Sequence, residues 1–177
     1  MSKVLFINPE ACTGCLTCEV VCSLSHGDNC TPSLSRIRVM RHEGLWLYFP
    51  ITCLHCAHPV CEKGCPWDAL YRHEGTGAIL VESQRCIGCR MCLLLCPWGG
   101  LSLDYAGKIL KCDLCGGTPQ CAEHCHDGAI VFISQEEAER KLQQAEGGKA
   151  TPPAIDRAEP ETDLAHRVGA KWRQWRG

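Results

Sequence analysis

Aromatic side chains are scarce: Phe, Trp and Tyr together make up 6% of the 177 residues. That leaves too little bulk for the apolar interior of an ordinary domain of this length, so something other than hydrocarbon has to fill the core. Long hydrophobic runs are missing as well. The longest, Leu93-Leu94-Leu95 and Ala129 to Ile133, fall far below the ~18 residues that cross a bilayer, and no membrane span is expected. Nor is there an excess of positive charge: 18 basic against 20 acidic side chains give a formal −2, which excludes a broad nucleic-acid surface. The opening residues, Met1-Ser2-Lys3-Val4-Leu5-Phe6-Ile7-Asn8-Pro9, hold no signal-peptide core or cleavage site. The expectation is a soluble, cytoplasmic chain. Neither a P-loop nor a G-x-G-x-x-G phosphate cradle occurs, which removes nucleotide-driven chemistry from the candidates.

Cysteine, by contrast, is abundant, with 17 residues. An odd count in a chain expected to stay in a reducing compartment fits a disulfide scaffold poorly and leaves metal binding. All but Cys30 fall into four groups of four. Cys12, Cys15, Cys18 and Cys22 are spaced C-x2-C-x2-C-x3-C, and Cys86, Cys89, Cys92 and Cys96 repeat that spacing. Cys53, Cys56, Cys61 and Cys65 are spaced C-x2-C-x4-C-x3-C, and Cys112, Cys115, Cys121 and Cys125 C-x2-C-x5-C-x3-C.

The first and third groups carry the run that ligates [4Fe–4S] clusters in ferredoxins. Three cysteines two residues apart in a tight loop can touch three corners of one cube. The fourth, expected at the start of a helix, points away and serves a second cube held by a partner loop. Such motifs work in pairs, so four groups imply four [4Fe–4S] clusters. Structural zinc wants two separated cysteine pairs converging on one tetrahedron, a form these triplets lack. A zinc-stapled interaction module stays as the rival from another class.

The pairing of groups follows from what lies between them. Trp67 to Arg85 reads as strand, turn at Glu74-Gly75-Thr76-Gly77, and strand Ala78-Ile79-Leu80-Val81, the connection expected within a two-cluster unit. Groups two and three also share an ending, Cys65-Pro66-Trp67 and Cys96-Pro97-Trp98. Groups one and four are flanked instead by Val4-Leu5-Phe6-Ile7 and Ala129-Ile130-Val131-Phe132-Ile133, strands suited to pair with each other. The expected fold is α+β, with short strands and short helices. An inner ferredoxin-like unit at residues 51–104 is nested in an outer one made of residues 1–50 and 105–133, followed by a helix at 134–148 and an extended tail at 149–177. Crossing the fourth cysteine gives four ligand sets: Cys12, Cys15, Cys18 with Cys125; Cys112, Cys115, Cys121 with Cys22; Cys53, Cys56, Cys61 with Cys96; and Cys86, Cys89, Cys92 with Cys65.

In this scheme every iron has a cysteine and none is open to substrate, so no catalytic residue is expected. The C-x3-C-x2-C spacing of radical enzymes is absent too. What remains is storage and passage of single electrons. Each oxidised site carries a charge near about −2, which backbone N–H groups in Thr13-Gly14 and Ile87-Gly88 are placed to offset. Arg85, Arg90, Lys108 and Lys111 lie close to the ligands in sequence and read equally well as helpers in this or as solvated surface charges.

Cys12-Thr13-Gly14-Cys15, Ser35-Arg36-Ile37-Arg38-Val39, Cys53-Leu54-His55-Cys56, Cys86-Ile87-Gly88-Cys89-Arg90-Met91-Cys92 and Lys111-Cys112-Asp113-Leu114-Cys115 resemble four-cluster ferredoxin subunits. Those subunits serve molybdenum or tungsten oxidoreductases, carbon monoxide dehydrogenases and hydrogenases, and the resemblance spans about residues 3 to 133. The short loop Gly116 to Gln120 is more similar to ferredoxins beside tungsten aldehyde oxidoreductases, carbon monoxide dehydrogenases and hydrogenases. Subunits of the dimethyl sulfoxide reductase and formate dehydrogenase type usually have a longer insertion there. Cys125-His126 stands where family members often have Cys-Pro, a departure that bears on the surroundings of that ligand. The opening from Cys12 to His26, running on to Val39, most resembles the aldehyde oxidoreductase branch. That resemblance implies a separate catalytic subunit carrying a tungsten or molybdenum pterin, and a flavin-containing or other redox subunit that takes electrons onward.

Smaller features complete the reading. Residues 36–41 and 45–51 suggest a hairpin around His42-Glu43-Gly44, with Trp46 as packing. Trp67 and Trp98 occupy matched positions where they either shield clusters or simply pack, His55 and His58 sit in the group-two loop, and Cys30 reads as a spare buried thiol. Ser134-Gln135-Glu136-Glu137 is a capping box for a helix ending near Gly147-Gly148. The tail carries Arg167, Lys171, Arg173 and Arg176 with Trp172 and Trp175. It reads as a frayed basic tail or as an arm that docks on a neighbouring subunit or mediates self-association, and two tryptophans favour the arm.

Overall fold

The computed structural model describes residues 3–27, 30–42 and 47–144. The expected tail at 149–177, the helix end at 145–148 and Trp46 lie outside them. Strand β1 (Lys3–Ile7) pairs antiparallel with β8 (Ile130–Ser134), Leu5 opposite Phe132, where the matched apolar runs put it. Between them run helix α1 (Thr17–His26), the hairpin β2 (Ile37–His42) and β3 (Leu47–Thr52), and helix α2 (Val60–Lys63). The hairpin β4 (Leu70–Arg72) and β5 (Ile79–Val81) follows, then helix α3 (Met91–Leu95). A last hairpin, β6 (Leu101–Leu103) with β7 (Ile109–Lys111), leads to helix α4 (Gln120–Glu123). Helix α5 (Gln135–Gln144) follows β8 directly, and its Glu137 N–H donates to Ser134 Oγ at 3.3 Å, the cap expected from the sequence.

Every sheet among the described residues has two strands. Isolated two-stranded ladders are marginal in water, so each must lean on something else. Two sulfur-rich centres supply it. Five of the ten buried members of the first are cysteines (Cys18, Cys22, Cys53, Cys112 and Cys121), packed with Leu5, Ile37, Ala78, Leu114 and Ile130. That share answers the shortage of aromatics: the interior is built around thiols. The second gathers Cys61, Cys65 and Cys92 with Ala69, Leu70, Ile79 and Leu101. Strand alternation divides β1 between two layers. Leu5 faces the first sulfur-rich core, while Val4 and Phe6 face the fully buried Ala138 of α5. Helix α5 therefore lies on the core of its own chain.

Hairpin β6–β7 joins residues on either side of position 104, and the first core mixes Leu5 and Cys121 with Cys53 and Ala78. Among the described residues, no helix is long and apolar enough to cross a membrane.

Candidate metal centre

The four cysteine loops share a backbone feature hidden by their sequences. The residue just before the second cysteine has positive φ in each: Gly14 (73°), His55 (48°), Gly88 (72°) and Leu114 (58°). The turn swings N–H groups inward. His55 N–H meets Cys53 Sγ at 3.4 Å, Leu114 N–H meets Cys112 Sγ at 3.4 Å, and Gly14 N–H serves Cys12. Successive inward N–H groups make a concavity that favours anions, iron–sulfur sites included. At Gly14 a second constraint acts, because a Cβ there would collide with the Tyr48 ring.

Leu16 and Arg90, with φ 62° and 63°, then open α1 and α3. They put Cys18 and Cys92, the third cysteines, in the first turn. This corrects the expectation that the fourth cysteine starts a helix. Cys22 lies one turn beyond Cys18 within α1, and Cys96 lies just past the end of α3. Their sulfurs are also served by N–H groups: Cys65 by Ala69 at 3.3 Å, Cys96 by Gly100 at 3.4 Å and Cys22 by Arg36 at 3.3 Å.

Electrostatic neighbours report which thiols the fold brings together. Burial raises the Cys12 thiol, and Cys125 and Cys15 push the same way. Cys18 is pushed up to about 12 by burial, with Cys12 and Cys15 among its neighbours. Burial takes Cys61 to about 12 against the pull of Lys111, and Cys53, Cys96 and Cys56 add to the rise. Cys92 rises to about 11 through burial, then Cys86, Cys65 and Cys89. Cys121 is raised by burial and by Cys112, Cys22, Cys115 and Cys18. A small pocket is lined by Cys65, Cys86, Cys89 and Cys92 together with Trp67 and Ile87.

Of the two charged features here, the sequence reading left Lys111 open between a helper and a surface charge and missed the second. Lys111 is 5% exposed, and its Nζ donates to Cys53 Sγ at 2.8 Å and to the Ile79 carbonyl at 2.6 Å. Burial pushes the Cys53 thiol up, yet His55 and Lys111 outweigh it and bring it down to about 6. Around group four, His26 Nε2 meets Asp113 Oδ1 at 3.0 Å and Arg36 meets Asp113 Oδ2 at 2.5 Å. Asp113, Cys115 and Cys22 together push His26 up to about 12. Burial opposes ionisation of Asp113, but His26 and Arg36 hold its carboxyl below the usual range. His26, Asp113 and Cys115 converge within 4.8 Å. With Arg36 on the carboxylate this is a hydrogen-bonded brace around a cysteine, using only Cys115 as a soft ligand.

Other expectations change. Cys30 is exposed rather than buried. Trp67 and Trp98 are 55% and 40% exposed and do not form a sealed cover. Arg85 pairs with Glu82 at 3.2 Å, His58 is exposed, and Lys108 and Arg90 are at the surface.

The donor chemistry fits iron–sulfur cubes. Its sulfurs are soft ligands suited to iron–sulfur sites and are met by backbone N–H groups. The ring of His55 carries an unsatisfied donor: Nδ1 accepts from Ile79 N–H at 3.0 Å, leaving the proton on Nε2, which is buried without a protein partner. A buried orphan donor calls for an acceptor, and cluster sulfur is one.

Residues 45–135 match the family model described as 4Fe-4S dicluster domain. The chain belongs to this family. It is 44% identical over 126 residues, 70% of this chain and 71% of the relative, to the polyferredoxin-like subunit of aliphatic sulfonate oxidoreductase from Pyrococcus furiosus. One chain of the anaerobic dimethyl sulfoxide reductase from Escherichia coli is 34% identical over 157 residues, covering 77% of this chain and 75% of the relative. Among solved structures, a chain of the active site complex BamBC of benzoyl coenzyme A reductase is 28% identical with a TM-score of 0.45, over 80% of this chain and 87% of that one. The protein is thus a ferredoxin-like iron–sulfur protein, homologous to subunits of oxidoreductase complexes.

Proposed function

We propose that the chain holds four [4Fe–4S] clusters in the crossed sets Cys12/Cys15/Cys18/Cys125, Cys112/Cys115/Cys121/Cys22, Cys53/Cys56/Cys61/Cys96 and Cys86/Cys89/Cys92/Cys65, and serves as the electron-transfer subunit of an oxidoreductase complex. The carrying observation is that the fourth thiol of each set comes from a different loop: Cys125 neighbours Cys12, Cys22 neighbours Cys121, Cys96 neighbours Cys61 and Cys65 neighbours Cys92. The crossing nests residues 51–104 inside residues 1–50 and 105–133. Neighbouring sets also share a core, which holds Cys121 with Cys18 and Cys112 with Cys53, each pair close enough to interact electrostatically. When bound, the clusters supply one-electron storage. The chain's own part is to space them, bury their sulfurs and aim N–H groups at them. With sixteen cysteines assigned to sixteen irons, no open position remains for a substrate.

The two named relatives act in complexes whose names refer to a sulfonate and a sulfoxide. What such subunits share is electron delivery or removal, the substrate being chosen by the partner. For this chain the partner we favour is a tungsten or molybdenum pterin aldehyde oxidoreductase subunit, on the resemblance of Cys12 to Val39 and the short Gly116–Gln120 loop. A flavin-containing subunit is then the onward partner.

Anaerobic purification with metal analysis tests both levels. A brown protein with about 16 irons and matching sulfide, paramagnetic on reduction, supports the role. Colourless protein with about four zinc ions overturns it. In the co-purified complex tungsten supports the aldehyde oxidoreductase partner. Nickel would point to carbon monoxide dehydrogenase or hydrogenase, and molybdenum, which the aldehyde oxidoreductase reading shares, would bring in a formate dehydrogenase type beside it.

A further inference from the structure

Lys111 is the only charged side chain among the buried residues described. A buried ammonium is costly unless a counter-charge and hydrogen bonds meet it. No carboxylate lies in salt-bridge range of Lys111 among the described residues. Its partners are the Ile79 carbonyl at 2.6 Å and Cys53 Sγ at 2.8 Å, fifty-eight positions away in the chain. The side chain thus leaves the ligand loop it belongs to, next to Cys112, and spends its charge on a sulfur of another set. Cys53 and Cys112 are themselves electrostatic neighbours, so the ammonium sits at the seam between two ligand sets. Lys63, Lys108, Arg90 and Arg85, other basic residues near ligands in sequence, are all exposed.

Resting on the proposed ligand sets, we propose that Lys111 is the residue that sets the potential of the Cys53/Cys56/Cys61/Cys96 site, raising it above those of the other three. An added electron makes a site more negative, and a fixed buried cation in contact with one of its ligands favours that form. The effect is greatest at this site: His26 also reaches ligands of another set, Cys22 and Cys115, but its charge is shared with the Asp113 carboxylate at 3.0 Å, whereas Lys111 has no carboxylate in salt-bridge range among the described residues. His55 adds to it from the same loop: its orphan Nε2 hydrogen is available to sulfur, and hydrogen bonds to cluster sulfur are a recognised control on potential. The seam position makes this site a preferred resting place for an electron in the interior of the chain, set between the Cys112 and Cys86 sites.

The test is a potentiometric titration of the iron-loaded protein followed by electron paramagnetic resonance. Lys111→Met lowers the reduction equilibrium constant of one cluster tenfold or more, 59 mV for one electron. The Cys112 site, which shares the seam, falls by less, the Cys12 and Cys86 sites stay within about twofold of wild type, and Lys111→Arg, which keeps the charge, stays close to wild type on all four. The shifted signal is the one altered by Cys56→Ser. Four unmoved potentials, or four moved alike, overturn the inference. Where Lys111→Met fails to load iron, wild-type protein labelled with 15N at lysine Nζ decides. A nitrogen coupling on one reduced signal supports the contact, and none on any signal overturns it. Wild-type protein lacking iron and sulfide overturns the functional reading itself, a different outcome from loaded protein with unmoved potentials.

Discussion

Thr13 Oγ donates to the Asp127 carboxylate at 2.7 Å, across 114 positions of the chain. Thr13 lies between Cys12 and Cys15, and Asp127 lies two residues past Cys125, so this bond ties the first cysteine loop to the last. It is exposed, and its net worth is about 0.5–1.5 kcal/mol. Asp127→Ala should therefore lower the melting temperature of loaded protein by about 1–6 °C while leaving iron content unchanged. Calorimetry beside an iron assay checks this; a loss of one cluster's iron instead would mean that the bond holds the loop onto metal.

The crossed ligand sets make an opposite forecast for two double variants. Cys22→Ser with Cys112→Ala strikes one set twice and should remove a single cluster. Cys22→Ser with Cys12→Ala strikes two sets and should remove two. Iron counts and the number of signals on reduction distinguish them, since shared partners are where additivity fails. Loops that each bound their own cube would reverse the two results. Cys30→Ser, at an exposed cysteine outside all four groups, should keep every cluster.

Spacing alone carried the cysteine groups, and apolar alternation carried three of the ladders, including Val4–Ile7 with Ile130–Ile133. Hairpin β6–β7 was not read, because runs of three residues stand out only with a second cue, and it lacks the position between two paired cysteine groups that pointed to the equally short β4–β5. The recurring positive φ was half legible: Gly14 and Gly88 advertise it, whereas His55 and Leu114 adopt it under tertiary constraint. Lys111 could not be told from a surface lysine, since its burial depends on Cys53 and Ile79 arriving from distant parts of the chain. The brace of His26, Arg36 and Asp113 is non-local in the same way.

Gly100 lies against the backbone that presents Cys53. A Cβ at this position would sit 2.8 Å from Cys53 Cα and 2.8 Å from the Thr52 carbonyl oxygen, atoms that have little room to yield. Gly100→Ala should cost about 1–3 kcal/mol as overpacking. It should also weaken the cluster assigned to Cys53 and Cys96, because Gly100 N–H serves Cys96 Sγ. The measurement is the melting temperature together with the signal that Cys56→Ser alters. A stability loss with that signal intact would confine the effect to packing.

Removing iron should unfold most of the chain. Half of the buried residues in the first core are cysteines, and the second core depends on Cys61, Cys65 and Cys92. Without metal Cys61, Cys92, Cys121, Cys18 and Cys112 become thiols that burial holds protonated, the last two pushed up to about 12. At Cys53 and Cys22 burial is outweighed by hydrogen-bonding neighbours, which hold them down. They no longer tie four separate loops together, and two-stranded ladders do not stand by themselves. The purely apolar contact of Val4 and Phe6 with Ala138 is too small to replace them. Metal binding to raised thiols releases protons, so acid competes with iron, and cluster loss to a chelator should quicken as pH falls. Circular dichroism and hydrodynamic radius, followed during chelation at several pH values, should show loss of structure in step with loss of colour. Iron-free protein that kept its compact radius and its dichroism would mean that side-chain packing alone holds the fold.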